Sequence, residues 1–373
     1  MGKMIDRLTA AKNSPHFARL KRHWLTVAFF VGFLVDNITL NRVDQLFDNL
    51  VLLTYVILAM LSILCLYAAI AERFPDDWTP FIRKYAPLLV QFSFGGLLSG
   101  MLIFYGRSGA WTESWPFLLV ILAVIYGNET IRDRTSRLVF NVSMLFIGLF
   151  SYVVLVVPVF TGYMGPWVFV GSGILALVIM RVFLAALRRV IPRFMDLHMR
   201  FVVFAVGSIF VGFNFLYFTN IIPPIPLSLK EVGIYHSVVY FPDRAEYELK
   251  YEKGSWWHFW KKSDTTFHPS TELSTRNVAC FAKVFAPTRL ETKIFHSWDF
   301  YNEESGKWVE RSRLSYNISG GRGDGYRGYT QISNFEDGTW RCSVETERGQ
   351  VLGREKFTID SSEGPGEIVT RTE

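Results

Sequence analysis

The stretch "NISGGRGDGYRGY", residues 317–329, combines five glycines with two arginines and two tyrosines. A phosphate-binding loop is excluded because strand patterns lie on both sides and no lysine follows at the required offset. The favoured interpretation is a β-hairpin whose glycines supply positive φ angles. The alternative is a binding surface, because planar hydrogen-bond donors and aromatic faces suit anionic or glycan ligands. The residues of this surface would be Arg322, Tyr326, Arg327 and Tyr329.

A second aromatic stretch, "YEKGSWWHFWKK", covers residues 251–262 and contains Trp256, Trp257 and Trp260. The favoured interpretation places some of these rings in the core of a folded domain, because large aromatic side chains dominate core burial. Two alternatives stay open. The rings could dock at the headgroup level of a membrane with the two lysines on phosphates, or they could stack on sugar rings.

Polar residues inside apolar segments mark the next candidates, since such residues are costly in a membrane and often functional. They are Asp36, Asn37 and Asn214, to which Asp44 and Glu113 add nearby acidic groups. One hypothesis is a cluster that binds a cation or a proton. The favoured one is structural, because amides bond across helices and acidic residues suit helix N-termini. The pair Gly96 and Gly100 predicts a helix-packing face.

Recognised motifs for catalysis and metal binding do not occur in the sequence. The sequence contains no H-E-x-x-H, no close Cys/His pair and no G-x-S-x-G. We therefore predict no catalytic residue, metal or cofactor, and we favour a protein that is not an enzyme. Cys280 and Cys342 both lie on predicted strands of one domain, with side chains on apolar faces. We predict a disulfide between them.

Composition divides the chain near residue 220. Of its 373 residues 50% are hydrophobic and 19% are charged. Residues 1–220 carry 19 Lys and Arg against 11 Asp and Glu, a net charge of +8, whereas residues 221–373 carry 20 against 22, a net charge of −2. The positive charge thus lies in the apolar half, which argues against a nucleic-acid partner, because binding phosphates requires a solvated basic face.

The apolar half predicts a helical membrane domain over residues 24–220, preceded by a cytoplasmic tail at 1–23. Its segments are long enough, or nearly so, to cross the bilayer. Seven are predicted, at 24–40, 47–71, 86–105, 111–127, 138–160, 166–187 and 201–219. Alternate connections hold 16 Lys and Arg on one side and 2 on the other. The basic side is cytoplasmic. The N-terminus is then inside the cell, and everything after residue 220 is outside.

A Pro-rich linker at 221–230 leads to a different pattern. Short β-type runs separated by turn signals over 231–360 predict an all-β antiparallel sandwich, Ig-like or related. Period-two alternation places His296 and Trp298 on one face, and Trp340, Cys342 and Val344 on another. The opposite faces are charged. Residues 361–373 are expected to form a flexible tail.

Residues 294–359, with "IFHSW", "GGRGDGYRGYT" and "GTWRCSVETERGQVLGREKF", resemble a small domain of unknown function from bacterial envelope proteins. The chain departs from that pattern at Cys342, where an aliphatic residue is expected. The resemblance implies a bacterial inner-membrane protein with a periplasmic β domain, and it implies no catalytic residue. The favoured function is binding of an envelope glycan, a lipid headgroup or a protein partner. The lipid bilayer is a further expected partner. The alternative is a transporter or a membrane-embedded transferase acting on a lipid-linked substrate.

Overall fold

The computed structural model describes residues 34, 36–40, 42–108, 111–130, 138–253, 265–269 and 277–373. The chain divides into two compact units. One contains Met1–Phe104, Leu118–Val156 and Trp167–Phe215. The other contains Tyr105–Phe117, Val157–Pro166 and Leu216–Glu373.

Six helices with described bounds occupy the apolar half, and residues 36–39 are also helical. Five of the six are long and apolar enough to cross a membrane. The exception is α3, whose apolar part, Trp115–Gly127, is shorter. The helices are α1 Leu46–Ile70, α2 Thr79–Arg107, α3 Trp111–Thr130, α4 Leu138–Thr161, α5 Pro166–Val190 and α6 Pro192–Phe218. They match six of the predicted segments, whereas most of the predicted segment 24–40 lies outside the described residues.

Two helices begin earlier than predicted. α2 begins at Thr79 instead of residue 86, and α6 begins at Pro192 instead of residue 201. Proline is suited to the first position of a helix, where no N–H is required for the helical hydrogen bonds. In addition, α5 extends to Val190, so that Arg188 and Arg189 lie in its last turn. The predicted loop 188–200 is consequently mostly helical. The prediction stopped at charged residues, although a helix can extend beyond the hydrocarbon.

Close packing of α1 on α2 confirms the predicted helix-packing face. A Cβ at Gly96 would collide with the ring of Tyr55, and a Cβ at Gly100 would lie 2.6 Å from a methyl carbon of Leu52. Only residues without a side chain allow the two helices to approach this closely.

Within its described residues, the C-terminal half forms eleven strands in three sheets. Their hydrogen-bonded orders are β1-β5-β8, β4-β10-β9-β6-β7 and β11-β3-β2. The strands are β1 Ser228–Tyr235, β2 Ser237–Phe241, β3 Glu246–Glu252, β4 Thr266–Phe267, β5 Val278–Phe285, β6 Glu291–Asn302, β7 Lys307–Ser319, β8 Tyr326–Ile332, β9 Gly338–Thr346, β10 Val351–Ile359 and β11 Ile368–Thr372. One pair departs from the predicted antiparallel arrangement, because β4 runs parallel to β10.

The sheet β1-β5-β8 lies between the other two sheets. Cys280 of β5 packs with Trp298 and Trp340 of the five-stranded sheet. On the opposite side, Phe281 of β5 packs with Leu249 of β3. The strand β5 is therefore buried at all eight positions. Its sequence is apolar except for one lysine. The predicted two-layer sandwich is a three-layer arrangement.

Both ends of the β region differ from the predicted boundaries. β1 begins at Ser228, inside the expected linker 221–230. The expected flexible tail 361–373 contains β11, which pairs with β3. Arg371 donates to Glu231 at 2.6 Å, so charge pairing helps to fix a strand that has no long apolar pattern.

Candidate binding site

The stretch 317–329 connects two different sheets. β7, which ends at Ser319, pairs with β6, whereas β8, which begins at Tyr326, pairs with β5. The hairpin prediction is therefore wrong. Its glycines serve the crossing instead: a Cβ at Gly320 would collide with the carbonyl of Pro287, and Gly325 has a φ of +96°. Turn residues signal a change of direction but do not specify which strand the chain pairs with next.

Of the four side chains expected to form a surface on this stretch, Arg322 and Tyr326 lie together, with the guanidinium 5.8 Å from the ring centroid, whereas Arg327 and Tyr329 have other partners. Tyr326 packs against the core between the middle and five-stranded sheets. Tyr329 packs on the other side of the middle sheet, where its ring centroid lies 6.1 Å from that of Tyr247. Arg327 donates to a backbone carbonyl at 3.4 Å, and Arg322 is exposed. A common recognition surface for these four residues stays a prediction.

The other predicted site residues are only partly within the described chain. Trp256, Trp257 and Trp260 lie outside the described residues, as does the side chain of Glu113. Asn37 is exposed, and Asn214 donates to the carbonyl of Phe210 in its own helix at 2.8 Å. Asp44 pairs with Arg42 at 2.8 Å. Asp36 is buried and hydrogen-bonded by hydroxyl groups.

A disulfide joins Cys280 of β5 to Cys342 of β9, with their Cα atoms 6.5 Å apart. It links the middle sheet to the five-stranded sheet. A ligand nitrogen of His296 lies within 4.8 Å of both sulfur atoms. Because the disulfide leaves neither cysteine as a thiolate, these three residues do not form a metal site in this state.

His296 is the centre of an inner polar network. Its Nδ1 lies 3.0 Å from the hydroxyl of Thr330, and its Nε2 lies 3.0 Å from the hydroxyl of Tyr316. Trp298 donates its indole N–H to the same Thr330 hydroxyl at 3.1 Å. Burial lowers the pKa of His296 to about 3 and raises the pKa of Tyr316. The histidine is thus a neutral, hydrogen-bonded core residue.

A second polar cluster, centred on Glu252, connects the ends of three segments. Its carboxylate lies 2.9 Å from Nε2 of His236 and 2.8 Å from Nδ1 of His268, and it accepts the backbone N–H of Gly366. Burial would raise the pKa of Glu252, but these hydrogen bonds outweigh burial and lower it. Burial lowers the pKa of His236. The sequence did not reveal this cluster because the three side chains are widely separated along the chain.

The solvent-directed side of the five-stranded sheet carries a dense array of charged, hydroxyl and aromatic side chains. We call it the outer sheet face. Cross-strand pairing brings its members from β6, β7, β9 and β10 side by side. They are Phe295, Ser297, Asp299 and Tyr301, with Trp308, Glu310 and Arg313, then Arg341, Ser343 and Glu345, and finally Arg354 and Lys356.

Acidic and hydroxyl groups form the lower level of the outer sheet face. Asp299 accepts from Nε of Arg341 at 2.7 Å and from Ser297 at 3.1 Å. Ser297 also lies 3.2 Å from a carboxylate oxygen of Glu310. Although this side of the sheet is directed toward solvent, the side chain of Asp299 is only 9% exposed. These polar groups are therefore held in place beneath longer side chains.

Arginines and aromatic rings form the upper level. The guanidinium of Arg341 lies 4.4 Å from the ring centroid of Trp308, and that of Arg313 lies 4.4 Å from the ring of Phe295. The rings of Trp308 and Tyr301 are 5.1 Å apart. Stacking on a ring fixes a guanidinium plane while its edge can still donate hydrogen bonds.

Glu345 adds a partly buried carboxyl group with a raised pKa to the outer sheet face. Burial raises its pKa, and the nearby Arg313, whose nitrogen lies 3.6 Å from the carboxylate, offsets this only in part. Donors and acceptors thus lie next to one another on a firm surface. The sequence alternation predicted a charged face on β9, but it did not show which residues of the other strands lie beside it.

Comparisons with known proteins match part of this region. A family model described as "Protein of unknown function (DUF2914)" matches residues 291–359, which run from the start of β6 to the end of β10 and include the whole outer sheet face. No curated protein matches the chain.

Among solved structures, the chain is similar to "Pseudomonas fluorescens alkylpurine DNA glycosylase AlkC bound to DNA containing an abasic site analog". The identity is 9%, with 80% of this chain and 82% of the other covered, and the TM-score is 0.22. A likeness at that TM-score gives no basis for an argument about fold or function.

Proposed function

We propose that this chain is an inner-membrane protein of a bacterial envelope whose β domain binds an envelope glycan on the periplasmic side. The observation that carries this proposal is the ordered array of arginines, carboxylates and rings on the outer sheet face. Binding sites commonly combine apolar surface with a few polar groups held in fixed positions. The polar groups here are fixed by one another and by stacking on Trp308 and Phe295.

The chemistry of the outer sheet face suits a ligand rich in hydroxyl groups. A sugar presents neighbouring hydroxyls that donate and accept, and an arginine edge beside a carboxylate offers the matching acceptor and donor partners. Aromatic rings can pack against the C–H face of a sugar. The face carries basic and acidic groups in nearly equal number, namely Arg313, Arg341, Arg354 and Lys356 with Asp299, Glu310 and Glu345. This balance favours a glycan over an anionic lipid surface, which would select clustered basic residues.

Two observations support the periplasmic side. Residues 105–117 and 157–166, which contain two of the three connections predicted to lie outside the cell, belong to the same compact unit as the β domain. The unit also contains the disulfide between Cys280 and Cys342, and disulfides persist in oxidising compartments such as the periplasm.

The alternative function, a transporter or transferase, requires a cluster of acidic groups near the outer ends of the helices. In the described part of the chain, Asp44 pairs with Arg42, and Asp48 accepts the backbone N–H of Arg42 at 2.8 Å. These contacts favour a local structural role for both carboxylates. The glycan proposal does not depend on them.

Reporter fusions test the side of the membrane. Fusions after residues 108 and 373 should report a periplasmic location, and fusions after residues 76 and 191 a cytoplasmic one. The physical reason is the excess of Lys and Arg in the connections near the latter positions. A cytoplasmic reporter at residue 373 would contradict the proposal.

Co-sedimentation with purified cell-wall glycan tests binding by the full chain in detergent. Replacing Trp308 and Arg313 together by Ala should weaken binding at least about tenfold, because both residues belong to the upper level of the outer sheet face. The matched control is the double variant Arg322→Ala and Arg327→Ala, which changes two arginines elsewhere and should bind normally. Equal loss in both variants, or binding only to anionic lipid vesicles or to a protein, would contradict a glycan site on this face.

A further inference from the structure

Asp36 presents a buried carboxyl group in the segment predicted as the first membrane span. The residue is 4% exposed. The hydroxyl of Tyr55 donates to its Oδ1 at 3.1 Å, and the hydroxyl of Ser99 is in close contact with its Oδ2. Tyr55 belongs to α1 and Ser99 to α2, so the carboxyl group connects both helices.

The hydroxyl of Ser99 has a second acceptor beside it. Its oxygen lies 3.0 Å from the backbone carbonyl of Gly96, and serine in a helix often donates to a carbonyl three or four residues earlier. A hydroxyl carries one proton. If Ser99 donates to Gly96, its contact with Asp36 requires a proton from the carboxyl group.

Within the described part of the chain, no basic residue neutralises the carboxyl group of Asp36. Asp36 forms no ion pair there, and Arg42, the next basic residue along the chain, pairs with Asp44. The basic residues of α2 are Arg83, Lys84 and Arg107, which lie toward its two ends, and within the described residues none of them forms an ion pair with Asp36. Tyr55 is the ionisable group in contact with Asp36, and it supplies no positive charge.

The surroundings disfavour a charged carboxylate. α1 and α2 approach closely at Gly96 and Gly100, against Tyr55 and Leu52. Such packing excludes water, and an unpaired charge in a low-dielectric environment is strongly unfavourable. From these contacts we propose that Asp36 is a neutral carboxylic acid, and hence a proton-binding site in the membrane helices. This inference is independent of the proposed glycan binding.

An apolar carbodiimide, dicyclohexylcarbodiimide, tests the proposal on the full chain in lipid nanodiscs at neutral pH. The acid O–H adds across an N=C bond of the reagent: an oxygen–carbon bond forms, and the proton moves to nitrogen. The adduct then rearranges to a stable N-acylurea, with no oxidant or other reactant involved. Peptide mass spectrometry should find the adduct on Asp36 and not on Asp44 or Asp48, which accept charged or backbone donors.

Variants and competing ions separate the outcomes. Asp36→Asn should remove the adduct, and Ser99→Ala should retain it. Because the adduct is mapped on the unaltered protein, the test does not depend on whether Asp36→Asn folds. An unmodified Asp36 would overturn the proposal. Protection by sodium ions, but not by a bulky organic cation, would overturn the assignment of Asp36 as a site for protons alone, by showing that a metal ion competes with the proton there.

Discussion

The two faces of strand β6 carry two hydrogen-bonded networks of opposite character. The inward residues His296 and Trp298 share the hydroxyl of Thr330 in a fully buried, neutral network. The outward residues Ser297 and Asp299 belong to a charged network that includes Arg341. Both are well connected, so the number of hydrogen bonds does not identify a binding site. Charge and access to solvent distinguish the two networks. The inner network can only stabilise the domain, whereas the outer network can also bind a ligand.

This comparison predicts that changes on the inner side alter stability and that changes on the outer side alter binding. The largest effect should come from the disulfide beside the inner network. Replacing Cys280 and Cys342 by Ala should lower the free energy of unfolding by about 4 kcal/mol, because the bond closes a loop with a sequence separation of 62 residues. Unfolding of the full chain in urea measures this free energy, with amide hydrogen exchange of the β strands as the signal. Cys65→Ala is the matched control, and an equal effect of both changes would refute the assignment.

The second largest effect should come from acid, which lowers the free energy of unfolding through His296 of the inner network. The pKa of His296 falls from 6.5 to about 3 on folding, so the unfolded chain takes up a proton that the folded chain excludes. The stabilisation is therefore complete above pH 6.5 and is lost as the pH falls toward 3. At pH 5 the loss should be about 2 kcal/mol.

Thermal unfolding between pH 7 and pH 5 measures this loss, and His296→Gln should flatten the dependence. The lowered pKa of His236 adds a loss of the same sign in the same pH range, and the lowered pKa values of Glu231 and Glu252 add one near and below pH 4.5. The raised pKa of Glu345 acts in the opposite direction. An unchanged pH dependence in the variant would show that other groups dominate.

The crossing between β7 and β8 should give an effect of comparable or smaller size. Gly325→Val should cost about 1–3 kcal/mol, because valine must adopt a positive φ at a position where the glycine has +96°. Gly364→Val is the control, since that glycine has open space around it and no positive φ. Equal melting temperatures of the two variants would contradict the role given to Gly325.

The smallest effect should follow replacement of Arg322 and Arg327 by Ala. Arg322 is exposed, and Arg327 makes one long hydrogen bond to the Ala245 carbonyl. The free energy of unfolding should change by less than about 1 kcal/mol. A drop of several degrees in the melting temperature would show that these arginines are structural, and a loss of glycan binding would return the site to the stretch 317–329.

Sequence periodicity was sufficient for features that depend on one segment at a time. It placed Trp298, Trp340 and Cys342 on inward faces, and the core confirms this. It also located most helices, because a long apolar run is a local signal.

Features that depend on the pairing of distant segments could not be predicted. The burial of both faces of β5 results from a third sheet, whose strands contain few long apolar runs. The outer sheet face results from register: Asp299 meets Arg341 across a separation of 42 residues. No spacing rule along the chain indicates that these two side chains are neighbours.

The alternation along β6 has an evolutionary consequence. Relatives that share this fold but bind another ligand should exchange Phe295, Ser297 and Asp299 together with their neighbours on β7 and β9. They should keep Ile294, His296 and Trp298, because these lie in the core or its polar network. One strand would then contain two sets of positions that diverge at different rates, and a comparison of such relatives would show an alternation of variable and constant residues along it.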